Sequence, residues 1–181
     1  MLRIVVPASE SYDEGRDEFI TTKEQVLQLE HSLVSLSKWE SKWHKAFLDP
    51  KTQKTSEETI DYIRCMTLTQ NVDPNVYYHL TEKNILAIKD YIDNPMTATT
   101  FSDKQRSKPS REIITNELLY YYMIANNVPV EFEKWHLNRL LVLLHICEIK
   151  NAAPKKMSKK DILKRNVSLN AARRQALNSS G

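Results

Sequence analysis

The sequence predicts a mainly α-helical protein with a small N-terminal β-hairpin and a basic C-terminal helix. Three observations carry that prediction. Apolar residues recur at helical spacing through most of the chain, helix-start signals punctuate it, and the one early run of branched residues stops at a proline.

Leu2 to Val6 reads as a strand, rich in branched residues and ended by Pro7. A lone strand leaves its backbone groups unsatisfied, so a partner is required. The polar loop from Ala8 to Asp17, with Gly15, turns the chain back, and Phe19 to Leu29 is the nearby segment able to pair. The hairpin therefore covers about residues 2–29. A helix follows from Ser32 to about His44, with Leu33, Leu36, Trp39 and Trp43 on one face. Two tryptophans one turn apart are more often core than an anchor for a partner, so core is the favoured reading and partner binding the alternative.

Thr55 and Glu58 form a capping box for a helix through Ile60, Ile63, Arg64 and Thr67. Asp73 and Pro74 start a short helix with Val76, Tyr77 and Leu80. Thr81 caps another, through Ile85, Ile88 and Ile92, which Pro95 ends. The segment from Asn94 to Lys108 is low in structure and reads as a mobile or binding loop. Pro109 then opens a long helix carrying Ile113, Ile114, Leu118, Tyr121, Tyr122 and Ala125, stopped by Asn126, Asn127 and Pro129. The short turn predicts antiparallel packing against the next helix.

That next helix, Val130 to Lys150, carries two apolar stripes, one through Leu137, Leu140, Leu141 and Leu144 and one through Trp135, Val142, Ile146 and Ile149. A surface helix needs one stripe, so two place this helix at the centre of the domain. It is too short and too interrupted by Asn138, Arg139, His145 and Glu148 to span a bilayer. Finally, Ser158 with Asp161, and Met157 with Ile162, begin a helix from Lys159 to about Ala176 whose apolar stripe is thin.

A chain of 181 residues suits one domain with a small appendage: a body over 1–150 and a basic segment over 151–181. The net charge of +3 is unevenly placed, because Lys155, Lys156, Lys159, Lys160, Lys164, Arg165, Arg173 and Arg174 face a lone Asp161 after residue 150. The segment is thus +7 and the body −4. Such a segment is either a plain solvated helix or a binding element, and as a binding element it fits an acidic protein surface better than nucleic acid, since it has no interleaved aromatics for base stacking.

Two glycines, one of them terminal, exclude glycine-rich nucleotide loops and nucleophile elbows. Cys65 and Cys147 lie in amphipathic helices and read as reduced, buried thiols of a cytosolic protein without a signal peptide. Glu133 and His136 make a single ExxH pair, and a di-iron bundle needs two. No CxxC or HxxxH is present for zinc, and Cys147 and His145, two residues apart on a helix, face different ways. The sequence therefore predicts no catalytic residue, no cofactor and no metal site. The residues singled out for partner binding are Trp39, Trp43 and the eight basic residues after residue 150.

Three blocks, LEHSLVSLSKWESKW (Leu29 to Trp43), EKWHLNRLL (Glu133 to Leu141) and PKKMSKKDILKRNVSLNAARR (Pro154 to Arg174), resemble the tail assembly chaperones of long-tailed bacteriophages, in matching order over nearly the whole chain. The resemblance implies a non-enzymatic factor of the infected cell's cytoplasm that is absent from the mature virion. It would coat the tape-measure protein and hand it to tail-tube subunits, and it could self-associate. The alternatives are a structural virion protein of the tail or connector, and a nucleic-acid-binding accessory protein acting through the basic segment.

Overall fold

The computed structural model describes residues 1–13, 15, 17–101, 112–152 and 159–177. Mainly α-helical with an N-terminal hairpin, the chain divides into two units, Met1–Ile149 and Lys150–Gly181.

Strand β1 (Leu2–Val6) pairs antiparallel with β4 (Gln25–Leu29), and β2 (Ser9–Asp13) pairs antiparallel with β3 (Glu18–Thr22). The four are one ribbon interrupted at Pro7, which has no N–H to give the ladder. Half of the loop expected from Ala8 to Asp17 is therefore strand, and the expected single strand from Phe19 is two. The reversal uses left-handed backbone at Asp17 (φ 56°) rather than at Gly15. Aspartate tolerates that region better than most residues with a Cβ. The two halves of the ribbon differ in burial. Ile4, Val6, Leu27 and Leu29 are core, whereas Tyr12 and Phe19 stand in solvent.

Helix α1 (Leu33–Trp43) starts at Ser32 in a reciprocal capping arrangement with Ser35, and ends at His44 in left-handed backbone (φ 53°). Helix α2 (Ser56–Met66) has the Thr55–Glu58 capping box that the sequence predicts. A 3-10 helix, Pro74–His79, and α3 (Glu82–Asp93) also begin at their predicted caps, Asp73 and Thr81. Past Met66 the chain returns along β4: the Leu68 N–H donates to the Gln28 carbonyl (2.8 Å) and the Glu30 N–H to the Met66 carbonyl (2.9 Å). Both edges of β4 are thereby paired.

Helix α4 (Asn116–Ala125) starts later than expected. Its cap is Thr115, residues 112–115 are not helical, and Pro109 lies outside the described residues. The anticipated helix over Val130 to Lys150 is also broken. It is a 3-10 helix, Val130–Lys134, an extended Trp135, and then α5 (Leu137–Asn151). The break has a tertiary cause: the Leu137 N–H donates to the His31 carbonyl (2.7 Å) and His136 bridges to Ser32, so the backbone there serves as a strand partner.

Nor is α5 the centre. Leu137, Leu140 and Leu144 are buried, while Val142, Ile146 and Ile149 of the second stripe stay partly exposed. The centre belongs to α1. Its Trp39 joins Leu27, Leu29, Tyr62, Met66 and Val76 in one cluster, and its Leu33 and Leu36 join Leu119, Met123, Leu137 and Leu140 in a second. Phe47, just beyond α1, touches both.

In the second unit, α6 (Lys159–Leu177) is a single helix exposed throughout its described side chains. Its predicted cap residues Met157 and Ser158 lie outside the described residues, as does 102–108 of the predicted loop. Among the described residues, no helix is long and apolar enough to cross a membrane.

Candidate functional site

The two tryptophans of α1 meet α2 where Glu58 and Asp61 stand one turn apart. The Trp39 indole N–H donates to the Glu58 carbonyl (2.8 Å), and the ring packs edge-on against Phe47 with centroids 5.1 Å apart. Trp39 is fully buried, so in this fold it is core and cannot anchor a partner. Trp43 is half-buried, and its N–H donates to Asp61 (2.8 Å) beside the Lys42 ammonium (2.6 Å). The Lys45 ammonium pairs with Glu58, whose other oxygen accepts the Thr55 N–H. That ion pair, then the capping bond, hold the Glu58 carboxyl below its ordinary range.

Opposite this face, Glu40 is buried at 6% exposure and makes no ion pair among the described residues. Its carboxylate accepts instead from the Phe47 N–H, the Asn116 N–H and the Asn116 side-chain amide, each at 2.7 Å. Fixed N–H dipoles substitute for a counter-ion, and the start of α4 is positioned by them.

A second polar cluster lies at the β4–α1 junction. The Tyr62 hydroxyl, kept protonated by burial, shares a hydrogen bond with His31 Nδ1 at 2.6 Å. The His136 ring stands 5.1 Å from the His31 ring, and its Nε2–H donates to the Tyr91 carbonyl (2.9 Å). His136 Nδ1 is therefore a lone-pair acceptor, and it is buried without a partner. Burial, then the neighbouring His136, pull His31 down to about 4. Burial likewise draws His136 below its ordinary value, against the opposing effect of the Tyr91 carbonyl. Both imidazoles are neutral near pH 7.

The ExxH pair is divided between two jobs, since Glu133 accepts from the Tyr120 hydroxyl (2.8 Å) while His136 serves Tyr91. Burial, then this bond, push the Tyr120 phenol up to about 12. Among the described residues, no three His, Cys, Asp or Glu side chains are grouped to hold a metal ion. A cleft of about 270 Å³ beside α1 is lined by Ser35, Lys38, Cys65, Leu68 and Glu133 among others. Burial pushes its Cys65 thiol up, which favours the protonated form over the thiolate.

Of the basic residues singled out, Lys155 and Lys156 lie outside the described residues. Lys159, Lys160, Lys164, Arg165, Arg173 and Arg174 are exposed on α6. At about 100° per residue they are spread around its circumference rather than gathered in one stripe. Ile162, Leu163, Val167 and Leu169 stand exposed among them.

Two surfaces escaped the sequence reading. On α4, Tyr121 and Ile124 turn 61% and 75% of their surface to solvent, opposite the buried Leu119 and Met123. On the ribbon, Tyr12 and Phe19 are directly opposed with rings 5.1 Å apart, a cross-strand pair that steadies the hairpin and leaves its outer faces open. Acid-rich alternation through residues 9–24 was the available signal for the second.

Comparisons with protein-family models, curated proteins and solved structures returned no match. The functional reading therefore rests on the residues themselves.

Proposed function

We propose that this protein is a non-enzymatic tail assembly chaperone of a long-tailed bacteriophage. In the host cytoplasm it binds the tape-measure protein and delivers it to polymerising tail-tube subunits. The three sequence blocks that resemble such chaperones support the reading, and the structural observation that carries it is the kind of surface left in solvent. Polar groups capable of chemistry, such as Glu40, Glu58, Asp61 and His31, are committed to internal bonds. Tyr121 and Ile124 on α4, and Leu163 and Val167 among the cations of α6, are exposed. A long amphipathic client needs apolar contacts that outcompete its own aggregation, with charges that keep the complex in solution.

Co-expression tests this directly. The tape-measure protein of the encoding phage is expected in the soluble fraction with this chain and in the pellet without it. Replacing Tyr121 and Ile124 by serine is expected to weaken that rescue without lowering the melting temperature. Stoichiometric amounts of the chain in mature particles, read by mass spectrometry, overturn the chaperone reading in favour of a structural virion protein.

A further inference from the structure

The charge of the first 150 residues is not spread over the body. Residues 9–24 contain six carboxylates against Arg16 and Lys23, a net −4, and the other residues of that span carry sixteen charges of each sign. The whole negative excess falls within residues 9–24, the stretch of sequence that contains β2 and β3. Helix α6 carries six cations against Asp161, a net +5. Each is also the place where apolar groups are left uncovered: Tyr12 and Phe19 are 49% and 74% exposed on the ribbon, and Leu163 and Val167 are 67% and 62% exposed on α6.

We propose that the protein associates head to tail, with α6 of one copy lying on the β2–β3 ribbon of the next. The two surfaces match in sign, in apolar content and in size. A five-residue strand is about 17 Å long, and a helix of nineteen residues about 28 Å, so the ribbon spans more than half of α6. Because the α6 cations surround the helix, whichever side turns its aliphatic residues to the aromatic pair also brings ammonium or guanidinium groups to the π faces and the flanking carboxylates. The contact joins two different surfaces, so each copy keeps one free end, and association continues into a ring or a short chain. The pairing stands independently of the tail-assembly reading.

Sedimentation of the nuclease-treated full chain across a range of concentrations tests the proposal. Mass is expected to rise with concentration at about 50 mM salt and to fall back to the monomer at about 500 mM. Glu10→Lys with Glu24→Lys on the ribbon, and Lys160→Glu with Lys164→Glu on α6, are each expected to weaken association about tenfold. All four residues are exposed, so melting curves should match the parent. Mixing the two double variants should restore association, because each supplies the surface that the other lacks. A monomer at every concentration overturns the proposal, and in that case protection of the ribbon from proteolysis only when α6 is present points to closure within one chain. Association that survives the ribbon substitutions, or that salt does not reverse, overturns it equally.

Discussion

Helices α1 and α5 invite comparison because hydrophobicity and position disagree. The sequence of α5, with its two apolar stripes, describes a central helix, yet it buries one stripe and leaves the other half-exposed. The sequence of α1, LVSLSKWESKW, carries three charges and three serines, yet it lies between both cores. The difference teaches that a helix can occupy the centre with polar residues if each polar group meets a specific partner. Ser35 is used at the cap, Glu40 by three N–H groups, Lys42 by Asp61 and the Trp39 indole by a carbonyl. Apolar count alone does not measure centrality.

The comparison is sharpened most by truncation on each helix. Trp39→Ala is expected to destabilise the body by about 3–5 kcal/mol, whereas Ile146→Ser on the half-exposed stripe should cost under about 1 kcal/mol. Denaturant melts measure both. Similar losses at the two sites would return α5 to the centre.

Next in size is the acid response of the junction beside α1. The native state holds His31 near 4, while the unfolded chain titrates near 6.5, so between these values the unfolded state binds more protons. Stability is therefore full above about pH 6.5 and lost as pH falls toward 4, by about 3 kcal/mol at most from this group. His136, shifted the same way, adds to it. Melting temperatures at stepped pH values, in the parent and in His31→Gln, should diverge in slope across that window. A parent as stable at pH 4.5 as at pH 7 excludes the account.

Glu40→Leu leaves three N–H groups without this acceptor, the two of Asn116 buried and that of Phe47 partly so, and is expected to cost about 2–3 kcal/mol, detaching the start of α4 from α1. Hydrogen exchange should speed at Asn116 and Phe47 before it speeds elsewhere. The smallest effect is expected from deleting Lys155 to Gly181, which should leave the melting temperature of the body nearly unchanged, since every described side chain of α6 is exposed. A body that unfolds on this deletion would make α6 part of the core.

How much was legible follows the same division. Start signals are local chemistry, and Ser32, Thr55, Asp73 and Thr81 announced their helices because a cap needs only the next three residues. The break at Trp135 was hidden because its cause, the His31 carbonyl, is distant in sequence. The spacing of Trp39 already favoured the core, where it lies, but the central place of α1 was hidden, since Glu40 and Lys42 look solvated until their partners are known. The basic segment was readable as charge. That the opposing charge is confined to a ribbon with an exposed aromatic pair needed the register of β2 and β3.

The convergence on residues 28–32 also sets a timetable for synthesis. Gln28 and Glu30 await Met66 and Leu68, and His31 awaits Leu137, so the hairpin and α1 leave the ribosome well before the segments that cover them. Leu119 and Met123 arrive first, but until Leu137, Leu140 and Leu144 have emerged the second core around Leu33 and Leu36 is incomplete, and the nascent chain exposes part of the apolar face around which its body is built. Completion of the fold is thus a late event, triggered by arrival of the stretch from Trp135 to Leu144.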